Sequence, residues 1–225
     1  MTALGRPRLH FRETSSTNAV ARELAAGGAP HGTVVTTWHQ TAGRGRQGRS
    51  WVTPPGRAVL CSLVVRGPDA LLALRGGLAV ADLAGPEARV KWPNDVLLDG
   101  RKVAGVLAEG RPQEGWAVLG IGVNVAVEIA DLPVELHGRA GTLGRPPGEL
   151  EAALGELLAA LERRLSEPAP EIVAELGRRD ALRGEPVRWA SGTGTGAGID
   201  PEGRLRVRDD AGREQLLDAG EVHLA

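Results

Sequence analysis

Residues 90–109 read Val90-Lys91-Trp92-Pro93-Asn94-Asp95-Val96-Leu97-Leu98-Asp99-Gly100-Arg101-Lys102-Val103-Ala104-Gly105-Val106-Leu107-Ala108-Glu109. Pro93-Asn94-Asp95 is turn chemistry between two short apolar runs, Arg89–Trp92 and Val96–Leu98. Asp99-Gly100 follows at once, and Asp-Gly between alternating apolar runs is a strong hairpin signal, so Arg101–Glu109 is expected to fold back on Val96–Leu98. By the period of two, Lys102, Ala104, Val106 and Ala108 are expected to share a face. Three strands joined by two tight turns make this an antiparallel region.

Upstream, a strand-like start at Leu9–Arg12 leads to Ser15, Ser16, Thr17 and Asn18, which offer cap side chains to a helix over Ala19–Ala26 closed by Gly27-Gly28. Thr33–Trp38 and Ala58–Val65 read as strands flanking a Gly/Arg-rich stretch, Gln40–Trp51, and Ala70–Leu83 has helical composition. Downstream, Ala117–Val127 is an apolar run broken by Gly120, Gly122 and Asn124, as expected of a buried central strand that another group approaches closely. Leucines at helical spacing from Leu150 to Leu165, then Pro170–Arg179, give two packing helices. From about Leu182 the text changes to short β-like runs between Gly and Asp turns. The expected fold is α+β: a mixed sheet with packing helices over residues 1–180, and a small β-barrel over 181–225.

Composition narrows the function. Lys and Arg total 27 against 28 Asp and Glu, a formal charge of -1, so there is no general electrostatic footprint for nucleic acid or an acidic membrane. Cys61 is the only cysteine and the five histidines are scattered, which excludes a disulfide framework and a Cys/His metal cluster. No N-terminal targeting pattern and no apolar run of roughly 18 residues is present. A cytoplasmic protein is expected.

The basic residues are almost all arginine. The only lysines are Lys91 and Lys102, eleven positions apart in the hairpin region, and the only asparagines are Asn18, Asn94 and Asn124. Gln40-Thr41-Ala42-Gly43-Arg44-Gly45-Arg46-Gln47-Gly48-Arg49-Ser50-Trp51 has glycines that let a ligand close to the backbone and arginines that offer fork-shaped donors, as suits a polyanion. It is not a Walker A loop, since no Gly-Lys-Ser/Thr ends it. Taken alone it fits equally an arginine/glycine segment that contacts RNA with Trp51 as a stacking platform. Asp95 could hold Mg²⁺ on nucleotide phosphates, although Asn-Asp after Pro is also plain turn chemistry. Ser16-Thr17-Asn18 fits either a helix cap or a small polar ligand at a helix N-terminus.

Taken together, Ser16-Thr17-Asn18, Gln40, the Gly43–Arg49 loop with Trp51, Lys91–Asp95, Gly100–Gly105 and Gly120–Asn124 closely resemble the biotin protein ligases, from about residue 10 onward. The resemblance implies a catalytic domain related to class II aminoacyl-tRNA synthetases and lipoate ligases, followed by an SH3-like barrel. It implies ATP-dependent activation of biotin to biotinyl-5'-AMP with release of pyrophosphate, then transfer to a lysine of a biotin carboxyl carrier domain with release of AMP. By matching position, Ser16, Thr17, Asn18, Gln40, Gly43, Arg44, Gly45, Arg46 and Lys102 are implied as biotin contacts. Arg46, Arg49, Trp51, Lys91, Asn94, Asp95 and Asn124 are implied for the nucleotide, Asp95 for Mg²⁺, and Lys102 and Arg46 for catalysis. No tightly bound metal is expected.

The first motif begins near residue 14, so the expectation is a ligase without an N-terminal DNA-binding domain, with no DNA or membrane partner, as monomer or homodimer. A lipoate or octanoate ligase of the same superfamily is the nearest alternative. An RNA-binding module is the alternative from another class.

Overall fold

The computed structural model describes residues 4–218 and 220–224, with Pro112 as backbone alone. The strands are β1 (Arg8–Phe11), β2 (Val34–Thr37), β3 (Ala58–Arg66), β4 (Arg89–Lys91), β5 (Asp95–Leu98), β6 (Arg101–Arg111) and β7 (Trp116–Asn124). They form a seven-stranded sheet in the order β1-β2-β3-β7-β6-β5-β4. β1 and β2 run parallel and the other neighbours antiparallel, which makes the sheet mixed as expected. Asp99 and Gly100 both have positive φ, 51° and 73°, the backbone a two-residue hairpin turn requires.

The two faces of the sheet are separated by the strand period. On β7 the odd residues Ala117, Leu119, Ile121 and Val123 enter the main core, and on β3 Val59, Cys61, Leu63 and Val65 do the same. Onto that face pack α2 (Leu72–Ala84), α3 (Leu150–Ser166) and α4 (Ala169–Arg179). The opposite face carries α1 (Thr17–Ala26), which buries Ala21 and Ala25 against Val35, Val64, Trp116 and Val118. Leucines on one stripe of α3 seat it in the core, as the helical spacing predicts.

A second sheet takes the five strands β8 (Pro186–Trp189), β9 (Gly192–Ile199), β10 (Leu205–Asp209), β11 (Glu214–Leu217) and β12 (His223–Leu224), in the order β11-β10-β9-β8-β12. Its buried residues Val187, Trp189, Leu205, Val207 and Val222 belong to the same apolar cluster as the large sheet. Trp92 ties the two together: it is buried in that cluster, and its Nε1 donates to Gly203 O at 2.9 Å. Among the described residues no helix is long and apolar enough to cross a membrane.

Two sequence expectations change. The pairing of β5 with β6 slips between Val96 and Leu97, where Ala104 faces Val96 but Lys102 faces Leu97, so Val103 is the extra residue of a bulge. That inverts the side-chain order, because one inserted residue moves a side chain to the other face. Lys102 therefore lies over Gly105, where an added Cβ would stand 3.4 Å from its Nζ, and Ala104 and Val106 turn to the core instead. The first helix begins two residues earlier than expected, at Thr17, and Ser16 at its N-cap makes no side-chain cap hydrogen bond. Gln40 does that work from the far loop: its Oε1 accepts from Thr17 N at 2.9 Å.

Candidate active site

On the α1 side of β7 the even residues run Trp116, Val118, Gly120, Gly122, Asn124. The first two pack under α1, and then the strand loses its side chains where other groups come down on it. A Cβ at Gly120 would meet Asn18 Oδ1 at 2.0 Å, and one at Gly122 would meet the Trp51 ring at 2.6 Å. Neither position admits even alanine without moving its neighbour. Beside this bare floor opens a cavity of about 460 Å³.

Fourteen of the fifteen residues singled out from the sequence line it: Ser16, Thr17, Asn18, Gln40, Arg44, Gly45, Arg46, Arg49, Trp51, Lys91, Asn94, Asp95, Lys102 and Asn124. Gly43 stands outside the lining. Its carbonyl accepts from Trp51 N at 3.0 Å to close the loop, and a Cβ there would strike Trp51 O.

One end of the cavity is polar and neutral. Ser16, Thr17 and Asn18 are all buried there, and Thr17 is bracketed by Gln40 and Ser62. The other end is cationic. Lys102 Nζ sits 2.6 Å from Asp95 Oδ1 and 5.5 Å from the centre of the Trp51 ring. Arg46 donates to Asn94 Oδ1 at 3.3 Å and to Gly220 O at 3.3 Å, while Arg49 pairs with Glu221, so the C-terminal segment holds the basic loop. Asn94 in turn donates from Nδ2 to Val106 O at 2.9 Å, which anchors the turn to β6.

The cations crowd one another. Burial lowers the Lys91 pKa, Asp95 opposes that, and Lys102 and Arg49 lower it further. Burial and Arg49 likewise lower that of Arg46, with Asp95 acting the other way. A ligand bringing several negative charges would relieve this repulsion, which is the electrostatic signature of a polyanion site. Two further buried polar atoms in the lining, Trp51 Nε1 and Asn124 Oδ1, have no hydrogen-bond partner among the described residues. Buried polar atoms without partners are rare, so the hydrogen bonding of this lining is incomplete at both places. Cys61 takes no part in such chemistry, because burial pushes its thiol up to about 12.

Sequence reasoning missed one wall of the cavity. Leu132, Leu136, Arg139 and Ala140 line the cavity from the segment between β7 and α3, which is strung across the site by Lys102 N donating to Arg139 O and Gly141 N to Lys102 O, both 2.8 Å. Asn124 Nδ2 holds the same segment through Gly141 O at 2.9 Å. Ser62 was missed as well. A lone hydroxyl on the α1 face of an apolar strand was the available signal.

The family model for the biotin/lipoate A/B protein ligase family matches residues 10–125. The bifunctional ligase/repressor BirA of Bacillus subtilis (strain 168) is 33% identical over 242 residues, covering 96% of this chain and 74% of that protein. A biotin--[acetyl-CoA-carboxylase] ligase of Paracoccus denitrificans is 40% identical over 237 residues, covering 93% and 97%. Among solved structures, the biotin protein ligase from Aquifex aeolicus in complex with biotin and ATP has the same fold, with a TM-score of 0.80 at 24% identity over 97% of this chain and 99% of that one.

Proposed function

Since the chain belongs to the biotin/lipoate A/B protein ligase family, we propose that it activates biotin with ATP and transfers it to a lysine of a biotin carboxyl carrier domain. The observation that carries this reading is one cavity with a neutral hydrogen-bonding end at Thr17 and Gln40 and a cationic end at Lys91, Lys102, Arg46 and Arg49. The first end suits a small polar ring and the second a chain of phosphates.

A carboxylate is a poor acyl donor, so the reaction divides. A biotin carboxylate oxygen attacks the α-phosphorus of ATP, the bond from that phosphorus to the bridging oxygen breaks, and pyrophosphate leaves. The acceptor amine, neutral after its ammonium form has shed a proton, then attacks the acyl carbon; the bond from that carbon to the bridging oxygen breaks, AMP leaves with that oxygen, and the nitrogen sheds a second proton to give the amide. Lys102 is the cation assigned to the reacting carboxylate and α-phosphate: the bulge at Val103 turns it to the cavity, and Asp95 and the Trp51 face hold it there. Arg46, Arg49 and Lys91 take the outer phosphates, where fixed cations stabilise charge that builds in the transition state. Leu132 and Leu136, an apolar part of the lining, are assigned to the nucleoside.

Among the described residues Asp95 is the single carboxylate of the lining, and it already faces Lys102. One carboxylate fits a Mg²⁺ ion carried in on the nucleotide, since that ion keeps several waters and phosphate oxygens, and Asp95 with those phosphates would hold it. Bound there, it would neutralise charge on the leaving pyrophosphate.

The adenylate would hydrolyse if water reached it, so the arginine loop is assigned as its shield. Trypsin should cut after Arg44, Arg46 or Arg49 several-fold more slowly once biotin and ATP are bound; equal cutting with and without them would contradict the shield. The reading as a whole is tested by incubating the protein with biotin, ATP, Mg²⁺ and a carrier domain. The carrier should gain the mass of one biotinyl group at one lysine, dependent on ATP, and an unchanged carrier would count against it.

A further inference from the structure

Beneath Thr17 runs a line of buried polar groups that ends on a carboxylate. Ser62 Oγ, fully buried in β3, is 2.6 Å from Asn18 Oδ1 and 2.8 Å from Thr17 Oγ1. Asn18 Nδ2 donates to Glu109 Oε2 at 2.8 Å and lies 3.4 Å from Leu107 O. Glu109 is half-buried, with Arg22 Nη1 3.7 Å from its other oxygen. Gly120 leaves the space that the Asn18 amide fills.

The protons along this line are placed from the carboxylate end. A carboxylate oxygen only accepts, so Asn18 must turn its NH₂ to Glu109 and its carbonyl to Ser62. That carbonyl also only accepts, so the Ser62 proton goes to it, over the shorter of the two Ser62 distances. Ser62 Oγ is then an acceptor toward Thr17, whose own proton has two choices: Ser62 at 2.8 Å, or Gln40 Oε1 at 3.2 Å, which already accepts from Thr17 N. It goes to Ser62. Thr17 Oγ1 is left presenting lone pairs to the cavity, and beside it Gln40 keeps its Nε2 donor without a partner among the described residues.

We propose that Glu109, through Asn18 and Ser62, fixes Thr17 as a hydrogen-bond acceptor, so that this end of the cavity selects a ring offering an N–H donor. Resting on the biotin reading above, it makes Glu109 and Ser62 positioning residues for the ureido ring, and it makes Asn18 a relay whose amide is engaged by protein rather than by ligand. A cyclic urea offers an N–H next to a C=O, the complement of an acceptor beside a donor. A plain alkyl chain or a dithiolane ring offers neither.

The test uses the whole protein, biotin, and the two cyclic carbamate analogues in which one ureido N–H is replaced by a ring oxygen. In the wild type the analogue that sets its oxygen against Thr17 should have a KM raised about tenfold or more over biotin, the scale of one lost hydrogen bond. In Glu109→Gln the new amide can offer a donor instead. The line can then reverse, Thr17 can donate, and the preference for biotin over that analogue should shrink at least fivefold while the KM for ATP stays the same. Ser62→Ala cuts the line and should shrink the same preference. Wild-type discrimination in both variants, with melting temperatures near that of the wild type, would overturn the proposal. Biotin-dependent pyrophosphate release by the wild type separates the two levels: retained release with unchanged discrimination removes only the relay, and no release removes the biotin reading under it.

Discussion

Lys102→Ala is expected to slow formation of the adenylate by about 10²–10³-fold, equivalent to roughly 2.7–4 kcal/mol, the loss typical of one preorganised donor to a developing anion. The side chain is turned to the cavity by the bulge at Val103 and held at 2.6 Å from Asp95, so its charge is oriented before substrate arrives. Lys102→Arg should recover only part of the rate, because a planar fork does not reproduce a compact ammonium over the Trp51 ring. Folding should be little affected, since the lysine is about one-third exposed and packs no core. Single-turnover adenylate formation measures the effect. Near-normal rates in Lys102→Ala would remove this residue from the chemistry.

The largest effect on stability is expected from Asp82→Ala, at about 3–5 kcal/mol. Asp82 on α2 accepts from Arg163 at 2.6 Å and from Arg164 at 2.8 and 2.9 Å, with Arg179 at 3.5 Å, so one carboxylate ties α2 to both α3 and α4. Removing it leaves the buried Arg164 with only Glu167 and Glu175 as acidic partners among the described residues. For a chain of this length that corresponds to a melting temperature lower by roughly 6–20 °C. Burial alone would raise the Asp82 pKa, but hydrogen bonds and charges from Arg164 and Arg163 outweigh it and hold the carboxyl below its ordinary value of 3.8. The folded pKa is thus the lower one, so the stabilisation is fully present above the ordinary value and is lost as pH falls through the folded value. Thermal melts of wild type and variant should converge on acidification below pH 3.8. A variant melting within 2 °C of the wild type at pH 7 would contradict the network's role.

Much of this architecture is legible in the sequence where one local rule acts alone. Asp99-Gly100 demands a tight hairpin, and the loss of side chains at Gly120 and Gly122 anticipates groups coming down on β7, which prove to be Asn18 and Trp51. The site residues nominated by the motifs that carry the family resemblance also meet in one cavity, Gly43 excepted. The features that escaped depend on two segments meeting. The bulge at Val103 leaves no trace because Val103 and Ala104 are both apolar and both buried, so nothing in the sequence breaks the alternation and Lys102 is assigned to the wrong face. Ser16 reads as a cap until Gln40, 24 positions away, is seen to accept the amide of Thr17 instead. The wall from Leu132 to Ala140 is built around short 3₁₀ turns, too short to carry a period. Ser62 and Glu109 gain meaning only through Asn18, which joins β3 and β6 across the N-terminus of α1.

The central claim is that the neutral end of the cavity takes biotin and the cationic end takes ATP, and it is tested most directly without any acceptor. Pyrophosphate release from ATP and Mg²⁺ is measured with biotin, lipoate or octanoate supplied singly. The account predicts release with biotin and little with the other two, because only biotin brings an N–H and a carbonyl to Thr17 and Gln40. Release with lipoate or octanoate in preference to biotin, or with none of the three, would contradict it.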